Sequence, residues 1–180
     1  MAAPALPYRW ALAEFVRAWE AGAFDRRVEL VDGEVLAVPI GDWHGDTAAR
    51  VVRALPNDRF RVSTASLPTA ESLPDPDCWV RPAAASASSA VSARVSRWAT
   101  DDVLLVVEVA DETVDHDLGA KAVLYAGAGY PCYWAITRDG VYEHTGPTPA
   151  GYRHRVLHRP GDAVPVGYAG TALDVTALVG

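Results

Sequence analysis

The segment Val103–Val109, reading Val-Leu-Leu-Val-Val-Glu-Val, constrains this chain more than any other stretch. It is a continuous run of Val and Leu rather than an alternation, which is the pattern of a β-strand covered on both faces. Its unbroken aliphatic part, Val103–Val107, is far too short to cross a bilayer, so it predicts a core strand and no membrane segment. One charged residue, Glu108, interrupts it. A carboxylate among such neighbours sits in a dry environment that raises its pKa unless a cation or hydrogen-bond donors compensate. Glu108 therefore needs a partner: a metal ion, an arginine or a lysine. The alternative is a strand-end Glu that reaches solvent.

The rest of the chain supports a folded domain around that strand. With 180 residues, 50% of them hydrophobic, six Trp and seven Tyr, it is long enough to bury a core and reads as one soluble globular domain over residues 1–180, or at most two small ones. Nothing in Met1–Trp10 resembles an export signal, so the expected location is the cytoplasm. Cys78 and Cys132 are far apart and outside any Cys-x-x-Cys spacing, and read as buried small hydrophobes.

Periodicity divides the chain into alternating helices and strands. Leu12, Phe15, Val16 and Trp19 recur at helical spacing between Trp10 and Trp19. Arg26–Val31 and Glu34–Val38 flank Asp32-Gly33, a two-residue hairpin signal, with Pro39 and Gly41 ending the unit. Ala48, Val51, Val52 and Leu55 predict a second helix with Asp42 as N-cap. Strands follow at Phe60–Ser66 and around Asp77–Arg81, stopped by Pro82. Residues 83–97, almost all Ala, Ser, Val and Arg, predict a mobile loop or marginal helix and the least order in the chain. Leu118–Ala128 predicts a third helix. Cys132–Thr137 and Val141–His144 flank the hairpin signal Asp139-Gly140, Tyr152–His158 predicts a further strand, and Leu173–Val179 a short helix or edge strand. The sum is a mixed sheet with helices.

Asp77, opening the strand after Pro76, would lie beside Glu108 if the two strands pair. Two carboxylates on adjacent strands form a hard oxygen site suited to Mg²⁺ or Mn²⁺, which keep several waters for a phosphate substrate. Asp75 competes for this role but lies between prolines in a turn, so Asp77 is preferred. The basic residues number sixteen, of which fifteen are arginine and one, Lys121, is lysine. A lone lysine in so arginine-rich a chain marks a position where a compact, tunable ammonium is needed, or simply drift. Lys121 and Tyr125 are four apart and share a helix face with Leu118 and Ala122, a face that should turn toward the sheet. Asp77, Glu108 and Lys121 are together the parts of a metal-dependent phosphodiester hydrolase.

The segment from Glu108 through Ala110-Asp111-Glu112-Thr113-Val114-Asp115-His116-Asp117, with Lys121, Tyr125-Ala126, Gly129-Tyr130-Pro131 and Tyr133-Trp134, resembles the Uma-two family of restriction endonucleases, within the PD-(D/E)XK nuclease superfamily. The block Val28-Glu29-Leu30-Val31-Asp32-Gly33-Glu34, His44 and Pro76-Asp77 resemble further landmarks of that family, and the likeness covers roughly residues 8 to 178. It implies an α/β, restriction-endonuclease-like core with a central mixed sheet flanked by helices, Asp77 and Glu108 as Mg²⁺ (or Mn²⁺) ligands, and Lys121 as the catalytic lysine. The superfamily's Glu-x-Lys would place lysine at position 110, where this chain has Ala110, so the charge must come from the following helix. Glu29 would add a third acid, with a solvated strand charge as its alternative. His44, Tyr125 and Asp117 would support the site, a structural or helix-start role for His44 standing slightly ahead of catalysis.

The expected partners are nucleic acid, DNA first, and a second copy of the chain as a homodimer. His144, His154 and His158 read as solvated strand residues. Arg153, Arg155 and Arg159 could touch phosphates, but a net charge of −7 gives no general attraction to DNA, so any contact must be local. Two other readings stay open: a catalytically silent nuclease-fold binding or assembly module, and Lys121 as a Schiff-base amine.

Overall fold

The computed structural model describes residues 6–38, 41–111 and 117–180. Pro39, expected to end the first hairpin, and Glu112–His116 of the family-like segment lie outside the described residues. Among those described, no helix is long and apolar enough to cross a membrane.

Helix α1 (Leu12–Glu20) buries Leu12, Phe15 and Val16, the expected stripe. The hairpin β1 (Val28–Val31) and β2 (Glu34–Ala37) pairs around Asp32 and Gly33, whose φ values of 48° and 79° are the left-handed pair this turn requires. Helix α2 (Asp42–Ala54) follows; Gly41, in extended backbone, occupies the N-cap, so Asp42 sits inside the first turn and complements the helix dipole instead of capping. Strand β3 (Phe60–Ser63) stops three residues short of expectation, and β4 covers Cys78–Pro82.

Residues 83–97 are more structured than their composition suggests. Short strands β5 (Ser89–Ala90) and β6 (Ser96–Arg97) pair antiparallel, Val91 N–H donates to the Val95 carbonyl at 2.8 Å, and Val95 is buried against α1. Val95 in the core, Val91 packed beside it and the β5–β6 pairing order a stretch whose Ala and Ser prefer no particular conformation.

Strand β7 (Leu105–Val109) is buried at all five positions. A π-helical turn, Asp117–Lys121, then leads into α3 (Ala122–Gly127), so the third helix has two parts. Strands β8 (Cys132–Thr137), β9 (Gly140–Thr148) and β10 (Gly151–His158) form a meander. At the β8–β9 turn, Gly140 has φ 138°, and a Cβ there would lie 2.1 Å from the His158 carbonyl oxygen. A last hairpin, β11 (Ala163–Val166) with β12 (Thr171–Asp174), precedes α4 (Val175–Val179), so the tail is strand and helix in succession, capped by Asp174.

The central sheet runs β10-β9-β8-β7-β4-β3, with β7 and β8 parallel and every other pair antiparallel. This is the mixed α/β architecture expected. Alternation along β7 sends Val107 and Val109 into one core with α2, α4, Trp134 and Ile136, and Val106 into a second with Tyr125, Tyr130 and Tyr133. Glu108 shares the second face and so points at α3.

Candidate active site

Strand pairing brings the first two candidates together. Cys78 lies opposite Val107 on the antiparallel β4–β7 pair, so one step further along the register Asp77 faces Glu108. Asp77 is anchored there: its Oδ2 accepts the Val109 backbone N–H at 2.7 Å and lies 3.1 Å from His44 Nε2. His44, in the first turn of α2, is buried; with Nε2 turned to Asp77, its Nδ1 has no hydrogen-bond partner among the described residues.

The alternatives for Glu108 resolve toward burial, since only 4% of it is exposed. Its Oε1 receives Lys121 Nζ at 3.0 Å and the Tyr125 hydroxyl, donating at 2.6 Å. The four-residue spacing of Lys121 and Tyr125 thus aims both at one carboxylate. Lys121 Nζ also lies 3.1 Å from Glu29 Oε1 and 3.6 Å from Asp117 Oδ1. Glu29 is therefore no solvated strand charge: it is buried, and its Oε2 accepts the Asp75 backbone N–H at 3.2 Å. Asp75 is held by Arg27 Nε and by the Ser66 hydroxyl. Arg27 carried no signal in the sequence, because only the tertiary fold sets β1 beside the turn before β4.

The electrostatics follow from one ammonium among three buried acids. Burial alone would lower the Lys121 pKa; Glu108, Glu29 and Asp117 outweigh it and hold the ammonium well above its ordinary range. Burial pushes Glu108 up to about 8, against the pull of Lys121 and with Asp77, Asp117 and Glu29 adding to the rise. An amine kept protonated is no nucleophile, so this environment speaks against Schiff-base chemistry at Lys121.

Among the described residues no group of three or more His, Cys, Asp or Glu side chains is arranged to hold a metal ion. The donor chemistry of Asp77 and Glu108 nevertheless fits Mg²⁺, which takes one or two carboxylates and fills its other positions with water and phosphate oxygens. Room for these exists beside Asp77 in a cavity of about 380 Å³ lined by Arg27, His44, Thr64, Asp75 and Asp77.

The other histidines depart from expectation in two of three cases. His154 is exposed as expected, but His158 Nε2 pairs with Glu143 at 2.9 Å, and His144 is buried against the rings of Tyr133 and Tyr152 with Nε2 unpartnered among the described residues. Alternation along β9 could not reveal this, since α3 covers the face that His144 occupies. Burial lowers its pKa. Cys78 and Cys132 are free, the first buried and the second half-buried.

No curated protein matches the chain. Among solved structures, one described as "a putative nuclease belonging to DUF820" from Anabaena variabilis ATCC 29413 superposes with a TM-score of 0.68 at 14% identity, covering 94% of this chain and 97% of that one; a likeness at that identity is one of fold. The family model Uma2, described as "Putative restriction endonuclease", matches residues 12–176, and the chain belongs to that family.

Proposed function

We propose that the protein is a metal-dependent endonuclease that hydrolyses phosphodiester bonds in nucleic acid, DNA being the expected substrate. The observation that carries this reading is the facing of Asp77 and Glu108 across the β4–β7 pair, with Lys121 Nζ 3.0 Å from Glu108. Asp77 and Glu108 would hold the ion. Mg²⁺ or Mn²⁺, when bound, supplies Lewis-acid polarisation of the phosphate and a water acidic enough to attack at neutral pH.

The chain's own groups do the rest. Val109 N–H and His44 fix the Asp77 carboxylate, and the Tyr125 hydroxyl fixes that of Glu108, so neither rotates away when a ligand arrives. Lys121 brings a permanent positive charge to the place where the phosphorane becomes more negative. Glu29 and Asp117 keep that ammonium charged and in position. Arg27 and Thr64, in the cavity wall, stand where a phosphate would enter.

Titration calorimetry of Mg²⁺ and Mn²⁺ into wild type and Asp77→Ala, followed by cleavage of single- and double-stranded DNA, tests the reading. It expects carboxylate-dependent binding and cutting that disappears in Lys121→Ala. Failure to bind either ion at millimolar concentration, or cutting that survives both substitutions, overturns it.

A second reading, the catalytically silent module, draws on one observation: Lys121 lies within ion-pair reach of three carboxylates and is already engaged. It expects metal binding without cutting, or neither. Action in the cytoplasm as a homodimer belongs to the endonuclease proposal; light scattering on the purified chain tests the dimer.

A further inference from the structure

Next to the Asp77 cavity lies a second hollow of about 370 Å³, whose walls include Trp19, Ser63, Arg81, Arg94 and Trp98. Thr64 and Asp75 line both, so the two hollows adjoin across these residues, on the side of Asp77.

The second hollow's cations are set in advance on aromatic planes. The Arg81 guanidinium carbon lies 4.1 Å from the Trp98 ring centroid, and that of Arg94 lies 5.1 Å from Trp19. Arg81 is further tied by Nη1 to the Ala85 carbonyl at 3.2 Å. Trp98 leans on Trp79, centroids 5.5 Å apart, and the Trp79 indole N–H donates to the Ala65 carbonyl at 2.8 Å. Among the described residues neither guanidinium has a carboxylate partner, and the acid in the wall, Asp75, is paired with Arg27. A chain of net charge −7 attracts phosphate only where such local charge is concentrated.

We infer that this groove receives an unpaired nucleic-acid strand, with its phosphates on Arg81 and Arg94 and its bases against the guanidinium planes that Trp98 and Trp19 back, and leads its backbone to Asp77. Arginine and indole planes are the surfaces on which unstacked bases lie, and guanidinium is the better phosphate donor of the two cationic side chains. A hollow of this size admits one nucleotide of a flexible strand, whereas a duplex keeps its bases stacked inside and can enter only by unpairing. The direction toward Asp77 rests on the hydrolase reading; the binding itself does not.

The test is fluorescence anisotropy of a labelled single-stranded oligonucleotide and of a blunt duplex of the same sequence, in EDTA, across a salt series, with wild type, Arg94→Ala and Arg153→Ala. Arg94 is exposed, so its truncation removes no core contact. The expected result is tighter binding of the single strand, and for Arg94→Ala a slope of log K against log salt flatter by about 0.7, which at 0.1 M salt is about a fivefold loss of affinity. Preference for the duplex, no binding by wild type, or a loss that follows Arg153→Ala on β10 instead overturns the groove. Because the assay contains no metal, its failure is separable from that of the hydrolase reading: strand binding without metal binding or cutting by wild type sinks only the latter, and cutting without single-strand preference sinks only the former.

Discussion

Replacing Lys121 by methionine should destabilise the metal-free protein far more than replacing Glu108 by glutamine. The reasoning is a count of charge in a dry place. Lys121 is the ammonium within reach of Glu29, Glu108 and Asp117, at 3.1, 3.0 and 3.6 Å, so the four groups together carry a net charge of −2 when all are ionised. Lys121→Met takes that to −3 and leaves three buried carboxylates without their cation; removing one partner of a buried pair costs about 3–5 kcal/mol. Glu108→Gln takes it to −1, keeps the shape, and leaves Tyr125 and Lys121 an amide oxygen, so its cost should stay below about 1 kcal/mol or turn into a gain. For a chain of this size the lysine variant should melt about 10 °C lower. The double variant should recover part of that loss, because one of the acids that lose the ammonium has been removed. Urea unfolding of the four proteins in EDTA at about pH 9, above the Glu108 pKa of about 8 so that its carboxylate is ionised, measures all of this. A Lys121→Met protein within about 1 kcal/mol of wild type, or a Glu108→Gln protein as damaged as the lysine variant, would refute the argument that one ammonium holds the cluster.

Three further outcomes are expected. Glu108 has a folded pKa near 8, raised above its unfolded value, so the folded state binds the extra proton; the stability advantage of wild type over Glu108→Gln in EDTA should be greatest at acid pH and fall as pH rises from about 4.5 to about 8. Denaturant midpoints of the pair across that range check it, and a difference that grows with pH contradicts it. For His144 the sign reverses: its folded pKa is lowered, so stability is full above the unfolded value near 6.5 and declines as pH falls below it, and His144→Phe should lose that decline. Finally, Gly140→Ala should cost about 3 kcal/mol or more, since the added Cβ would meet the His158 carbonyl oxygen at 2.1 Å at a φ of 138°; thermal melting of the variant within a few degrees of wild type would show that the β8–β9 turn adapts.

Local signals carried much of the fold and part of the site. Asp32-Gly33 places its hairpin because a two-residue loop needs positive φ at both positions, whatever surrounds it. The Val103–Val109 run announces a strand covered on both sides, and Glu108 within it announces a buried acid in need of a partner. The i, i+4 spacing of Lys121 and Tyr125 survives the π-helical turn that ends at Lys121, because both side chains still leave the helix on the side facing β7. Other features had no local signal. Residues 83–97 look featureless until Val95 finds a place under α1, and His144 looks solvated until α3 covers it.

The sequence by itself thus determined most of the strands and helices around the site, that Glu108 needs a partner if it is buried, and that one ammonium stood four residues from Tyr125 on a helix face turned toward the sheet. These are consequences of periodicity and of the cost of an isolated charge in an apolar run, both of which act over a few residues. What only the tertiary structure decided is who shares the site. Glu29 reaches Lys121 because Leu30 bridges to Leu73 and carries β1 to the turn before β4. His44 reaches Asp77 because α2 packs over the face of the sheet that holds Val107 and Val109. Such meetings depend on strand register and layer packing between residues dozens of positions apart, where a shift of one residue would turn Asp77 away from Glu108, and no local pattern in a single chain encodes that choice.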